Sequence, residues 1–427
     1  MKLIKLFLLL AIIPVITNAQ LGGLLNKVKN KVNQKVNQRI DNKVEKAIDK
    51  TLDKIEGKET ASTSPADGKP TSNSVEEPSL KSFSKYDFVP GEKIVYYDNF
   101  ESEAIAELPI AWNTNGSGEV VTLEKTDGKW LRMHKGFVYL TSNKQEFSEN
   151  YTVEFDVIMH LKNNGWMFPA FSVGLLSTND EPTTDNSFLK EQNKYTNSII
   201  TLYPGVFNSS KALVESYADD KNYFRSEPKD CKQMEQYFGK SMHIAMQVQK
   251  ERLRVWINET KAFDVPKGVS LTYKMNQLFF KIGATNYSEE QYGMYISNIK
   301  VAQGLPDTRH KLIDEGKFST TAILFDVNAA NIKPESGGVL NEIAVVLNEY
   351  KEVKIKIIGH TDSDGNDAAN LTLSQKRAAA VKEALVKEYG IDGARIETDG
   401  KGETVSVGDN KTKEGRAANR RVEFIKL

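Results

Sequence analysis

Asp362 and Arg377 lie fifteen positions apart near the end of this 427-residue chain, and the pattern around each raises the question of where its charge goes. A strand-like run, Val353–Gly359, leads into His360–Thr361–Asp362–Ser363–Asp364–Gly365, which puts Asp362 at the carboxyl end of a strand beside the next helix. In that helix Leu373, Ala380, Val381, Ala384 and Leu385 share one apolar arc, and Arg377 sits in its middle. A guanidinium cannot be buried there unpaired, so it reaches a partner, lines a pocket, or snorkels to water. Asp362 read alone is equally a turn residue capping backbone N–H groups.

Other arrangements that could do chemistry are weaker. Asp362, Asp364 and Asn366 alternate as in a calcium loop, but glycine stands at the fourth place and Leu373 where a bidentate Glu belongs. The five histidines show no ligand spacing, and the single cysteine, Cys231, can form neither an intrachain disulfide nor a cysteine metal site. The sequence therefore implies no metal and no cofactor. Lys plus Arg equals Asp plus Glu, 57 against 57, which gives no reason to propose nucleic acid as a partner.

The elements that must position these residues fall into six stretches. Residues 1–19 read as a signal peptide: Lys2 and Lys5, a short apolar run, then Thr17 and Ala19 before a cleavage point at Gln20. Residues 20–56 read as an amphipathic helix, with an apolar residue every fourth position from Val28 to Leu52 and a basic first half. That helix is either a solvated spacer or a peripheral contact with an anionic membrane. Residues 57–88, rich in Ser, Thr, Pro and Gly, predict a flexible linker. Residues 89–304 switch to period two, as in Tyr151–Met159, and predict a β-sandwich. After a connector at 305–317, residues 318–427 alternate strands and helices: a strand at Thr321–Phe325, a proline-opened helix at Pro334–Tyr350, the strand Val353–Gly359, a long helix at Asp367–Tyr389 and a closing strand at Arg421–Ile425. The expected fold is multidomain: N-terminal helix and linker, an all-β sandwich, then an α/β (βαβαβ) sandwich.

Two resemblances sharpen this reading. The run GHTDSDGNDAANLTLSQKRAAAV, with T-D-x-x-G followed by N-x-x-L-S-x-x-R-A, Phe325–Asp326 before it and EGRAANRRVEF after it, resembles the OmpA-like family over about a quarter of the chain. That resemblance implies a periplasmic or outer-membrane-associated protein of a Gram-negative envelope that grips peptidoglycan, with Asp362 and Arg377 holding the diaminopimelate of the stem peptide. Thr361 and Asn370 match positions that add hydrogen bonds, and Arg420 a basic position on the closing strand, with Arg421 pointing the other way. The free ammonium and carboxylate of diaminopimelate suit one carboxylate and one planar guanidinium. The strand YTVEFDV, the hairpin LRVWINETKAFDV and the closing strand YISNIKV resemble a concanavalin A-like or laminin-G jelly roll. That fold also hosts glucanases, whose acidic motif is broken here, since Glu154 and Asp156 are followed by Met159. The sequence thus names no catalytic residue and predicts a non-enzymatic wall anchor, the alternative being a wall-tethered glycosidase. For the sandwich, Trp256 and Trp166 are candidate sugar-stacking residues, with an envelope protein as the other candidate partner. No run of alternating strands suggests a lipid-facing barrel.

Overall fold

The computed structural model describes residues 86–427. The expected signal peptide, the helix at 20–56 and the linker up to residue 85 lie outside the described residues.

Alternation of apolar and polar side chains produces a two-sheet sandwich in the middle of the chain, each sheet eight-stranded and antiparallel. The central strand of one sheet is Asn150–Leu161, flanked by Ser241–Gln249 and Tyr292–Gln303, with Lys93–Asp98 pairing the latter. Tyr151, Val153, Phe155, Val157 and Met159 point into the core shared by the two sheets, among Phe171, Phe280 and Ile296. The expected hairpin forms from Arg252–Ile257 and Thr260–Val265. Its turn places Asn258 at φ +48°, a conformation asparagine tolerates better than most residues.

One feature of this sheet departs from an ordinary half-solvated strand. Thr152 and Glu154, on the face away from the core, are also buried. Gly91 N–H donates to Thr152 Oγ1 at 2.9 Å, Glu154 faces residues of the C-terminal domain across a shared cavity, and residues 86–427 belong to a single compact unit.

The C-terminal domain is a four-stranded sheet in the order Lys317–Thr320, Val422–Lys426, Ile355–His360, Ile396–Gly402, the last two parallel. Its helices are α1 (Gly337–Glu349), α2 (Asp367–Lys387) and the short α3 (Lys413–Asn419). Pro334 opens a single 3₁₀ turn ahead of α1, Asn366 caps α2 through the N–H groups of Ala368 and Ala369, and Gly390 follows α2 at φ +70°. The strand at Ile396–Gly402 and helix α3 are additional to the expected elements.

Two boundaries move. The first strand is Lys317–Thr320, not Thr321–Phe325, because the latter stretch satisfies its backbone elsewhere: Leu324 N–H donates to Ser336 Oγ at 2.8 Å, and Phe325 makes only an isolated bridge to Ile332. The supposed connector is part of the domain, since Leu312 lies in its core. The last residues of the expected linker are also packed. Tyr86 and Phe88 cluster with Trp256 of the sandwich, and the next residue, Val89, lies in the core of the C-terminal domain.

Candidate functional site

The strand Ile355–His360 and helix α2 pack closely because of glycine. A Cβ on Gly359 would overlap the carbonyl oxygen of Ser374. The turn that follows carries Thr361 and Asp362 to the sheet's end, while α2 presents Asn370 and Arg377 to the same place and the chain after α3 brings in Arg420. These five residues line one cavity of about 330 Å³, so the structure brings together all of the residues expected there.

Within the protein, the acid pairs with one of the two arginines and not the other. Asp362, buried, accepts a hydrogen bond from Arg420 Nη1, so its ionic partner is Arg420 rather than Arg377. Arg377 instead donates from Nε to the Ala329 carbonyl at 3.0 Å and lies over the Phe325 ring, 4.8 Å from its centroid. Burial, with the Arg420 charge nearby, pushes the Arg377 pKa below the ordinary guanidinium value. No carboxylate among the described residues forms an ion pair with Arg377. Asp362, Arg377 and Arg420 set one carboxylate beside two guanidinium groups, and Asp326 and Asp364 of the same domain also line the cavity. Burial works against the Arg420 charge as well, but Tyr97 and Asp362 beside it keep its pKa above the ordinary value.

The remaining expected residues divide. The Thr361 hydroxyl is buried on the cavity wall and has no hydrogen-bond partner among the described residues. Asn370 spends its amide Nδ2 on the Asp364 carbonyl at 3.1 Å and Glu403 Oε2 at 2.6 Å, so its nitrogen holds the turn in shape. Arg421 binds Glu423 through Nε at 3.0 Å and Nη2 at 2.8 Å, spending its guanidinium on that carboxylate. His360, with Lys317 and Arg421, holds Glu423 well below the ordinary carboxylate range.

The two tryptophans part company. Trp256 is 1% exposed, packed edge-on against Phe88 with ring centroids 5.2 Å apart, and its Nε1 donates to Asp87 at 2.9 Å. It cannot stack on a sugar. The expectation failed because Tyr86 and Phe88, assigned to the linker, cover it. Trp166 remains 57% exposed in the loop after Asn150–Leu161, beside the exposed Met167.

Sequence reasoning missed the opposite wall of the cavity. Tyr97, Asn99, Glu154, Asp156, His243 and Lys300 all belong to the sandwich, and the Tyr97 ring lies under the Arg420 guanidinium at 5.3 Å. The only trace in the sequence is a strand whose second face carries two carboxylates, a pattern that solvent explains equally well.

A strand-end acid, a helix-borne arginine and a basic closing segment on this α/β sheet define the class: the chain belongs to the OmpA family, whose pattern matches residues 324–420. Among its relatives, the outer membrane porin F of Pseudomonas aeruginosa is 44% identical over 101 residues, 24% of this chain and 29% of the porin. The outer-membrane lipoprotein YfiB of the same organism is 37% identical over 137 residues, covering 32% of this chain and 79% of YfiB. A solved structure, the peptidoglycan-associated lipoprotein from Burkholderia pseudomallei, is 29% identical with a TM-score of 0.24, covering 26% of this chain and 89% of that one. The chain spans well under two thirds of the porin's length.

Proposed function

We propose that this is a non-enzymatic protein of the Gram-negative cell envelope, anchored to peptidoglycan by the diaminopimelate of the stem peptide. The observation that carries the reading is Arg377, a largely buried guanidinium on a cavity wall that forms no ion pair among the described residues, beside an Asp362–Arg420 pair. A ligand carboxylate satisfies Arg377, while the ligand ammonium goes to Asp362 with the Thr361 hydroxyl nearby. The printed names of the relatives, an outer membrane porin and an outer-membrane lipoprotein, support the same compartment.

The glycosidase alternative has little to work with on the sandwich strand. Glu154 is tied to Lys300 at 2.9 Å and Asp156 to His243 at 2.8 Å, so neither carboxylate is free to act as nucleophile or acid. The concanavalin A-like reading of the sandwich is supported by its two antiparallel sheets, and a glycan or protein contact on it would centre on Trp166.

The test is co-sedimentation of the purified protein with diaminopimelate-type sacculi. Asp362→Ala or Arg377→Ala is expected to cost about 2–5 kcal/mol of binding, since each leaves a charge unpaired in a desolvated site. Unchanged sedimentation of a folded double variant would overturn the reading.

A further inference from the structure

The family pattern accounts for only one side of the cavity. The other side is the outer face of the sandwich sheet, and its chemistry is unusual for a surface that merely packs against a neighbour. Glu154, His243 and Lys300 are each less than 10% exposed, and burying such charges is unfavourable unless they are paired. They are paired along the sheet: Lys300 Nζ lies 2.9 Å from Glu154 Oε1, and His243 Nδ1 lies 2.8 Å from Asp156 Oδ1. A bulge between Ser297 and Lys300, with Asn298 at φ +53°, turns the Asn298 amide to donate to Asp156 at 2.8 Å.

An inert contact surface would be filled with apolar side chains, yet here about 330 Å³ of space separates two polar walls. That volume is at the small end of the range for ligand sites. The buried Thr361 hydroxyl on the facing wall has no hydrogen-bond partner among the described residues, and the Tyr97 ring backs the arginine that holds Asp362.

We propose that the β-sandwich supplies half of the ligand site, so that the free end of a short zwitterionic peptide is held between the two domains. The charged terminus meets Asp362 and Arg377, and the adjoining residue meets the wall of Tyr97, Glu154 and Lys300. This rests on the reading above and adds a specificity element to it: the sandwich reads what is attached to the diamino acid, and a cavity of this size accepts an uncross-linked end rather than a bridged one.

The test uses the full chain and calorimetry with a synthetic diaminopimelate-containing tetrapeptide. Tyr97→Ala, and the paired replacement Glu154→Gln with Lys300→Met, which removes both charges together, are each expected to weaken binding at least threefold. Asp362→Ala is expected to abolish it. If Asp362→Ala binds normally, the peptidoglycan reading itself fails. If Asp362→Ala abolishes binding while the sandwich variants change it less than threefold, the sandwich is a bystander and this inference is overturned. Tighter binding by the sandwich variants overturns it too, since the sandwich would then cover the site rather than complete it. Should those variants misfold, a diazirine-bearing tetrapeptide on the unaltered chain decides: labelling within residues 94–101 or 298–300 supports the shared site, and labelling confined to residues beyond 317 overturns it.

Discussion

Arg377 and His243 solve the same problem, a cation away from water, in opposite ways. Arg377 has backbone and aromatic partners but no ion-pair partner among the described residues, so the planar fork of its guanidinium remains available for a ligand carboxylate. Arg377→Lys keeps the charge and loses the fork, and titration calorimetry is expected to show binding weaker by about 1–3 kcal/mol. His243 has its counter-ions already. Burial alone would depress its pKa, yet Asp156 and Glu154 hold it up at about 10, with Lys300 beyond them on the same sheet and Lys333 facing Asp156 from the C-terminal domain. A raised folded-state value means stability that is fully present below the ordinary histidine pKa of about 6.5 and is lost as pH climbs toward about 10. Burial also opposes Asp156 and Glu154 as anions, but His243, with Lys300 beside Glu154, holds both below the ordinary carboxylate range. Their contribution is present above about pH 4 and is lost on acidification. Thermal melts of the protein should therefore fall by on the order of a few degrees between pH 6.5 and 10, and His243→Gln should flatten that slope. A melting temperature that rises over this range would contradict the pairing.

Elements show how far the sequence could be read. Helix α2 and its neighbouring strand were legible because an apolar arc marks the one and a short strand-like run the other. Asp362, Arg377 and Arg420 were brought together by resemblance, but their pairing was not legible, since which of two arginines reaches one carboxylate depends on three-dimensional placement. The Ile396–Gly402 strand was missed because Asp399, Gly400 and Gly402 dilute its pattern, and its parallel neighbour supplies what its own residues do not announce. Trp256 was misread for a related reason, in that alternation tells which face a residue takes but not whether something else covers that face. Close approach is likewise invisible in sequence. Gly359→Ala forces a methyl group onto the Ser374 carbonyl, so α2 must shift; urea unfolding is expected to report a loss of about 1–3 kcal/mol, and calorimetry a weaker ligand interaction because Arg377 moves with the helix.

At the scale of the whole molecule the two domains are joined by specific polar ties as well as by packing. Lys413 of α3 donates to Asp98 at 2.8 Å and to Glu103 at 2.7 Å, Glu414 accepts from the Tyr97 N–H at 3.3 Å, and Lys311 lies 2.6 Å from Glu92. Asp98 and Glu103 are both buried, so Lys413→Met leaves two carboxylates without their cation. Differential scanning calorimetry should then show the C-terminal domain melting ahead of the sandwich, with a loss of about 1–3 kcal/mol, where the unaltered protein is expected to melt as one. One undiminished transition would mean that these ties do not couple the domains. The packed segment Tyr86–Val89 adds a mechanical side to this arrangement. Phe88 rests on Trp256 of one domain, a Cβ on Gly338 of α1 would strike its carbonyl oxygen, and Val89 is embedded in the other domain's core. A pull on the chain from its N-terminal side is therefore delivered to the seam between the domains. If the opposite end is held by the wall, tension across the envelope is borne by the Phe88–Trp256 contact on one domain and by Val89 in the core of the other.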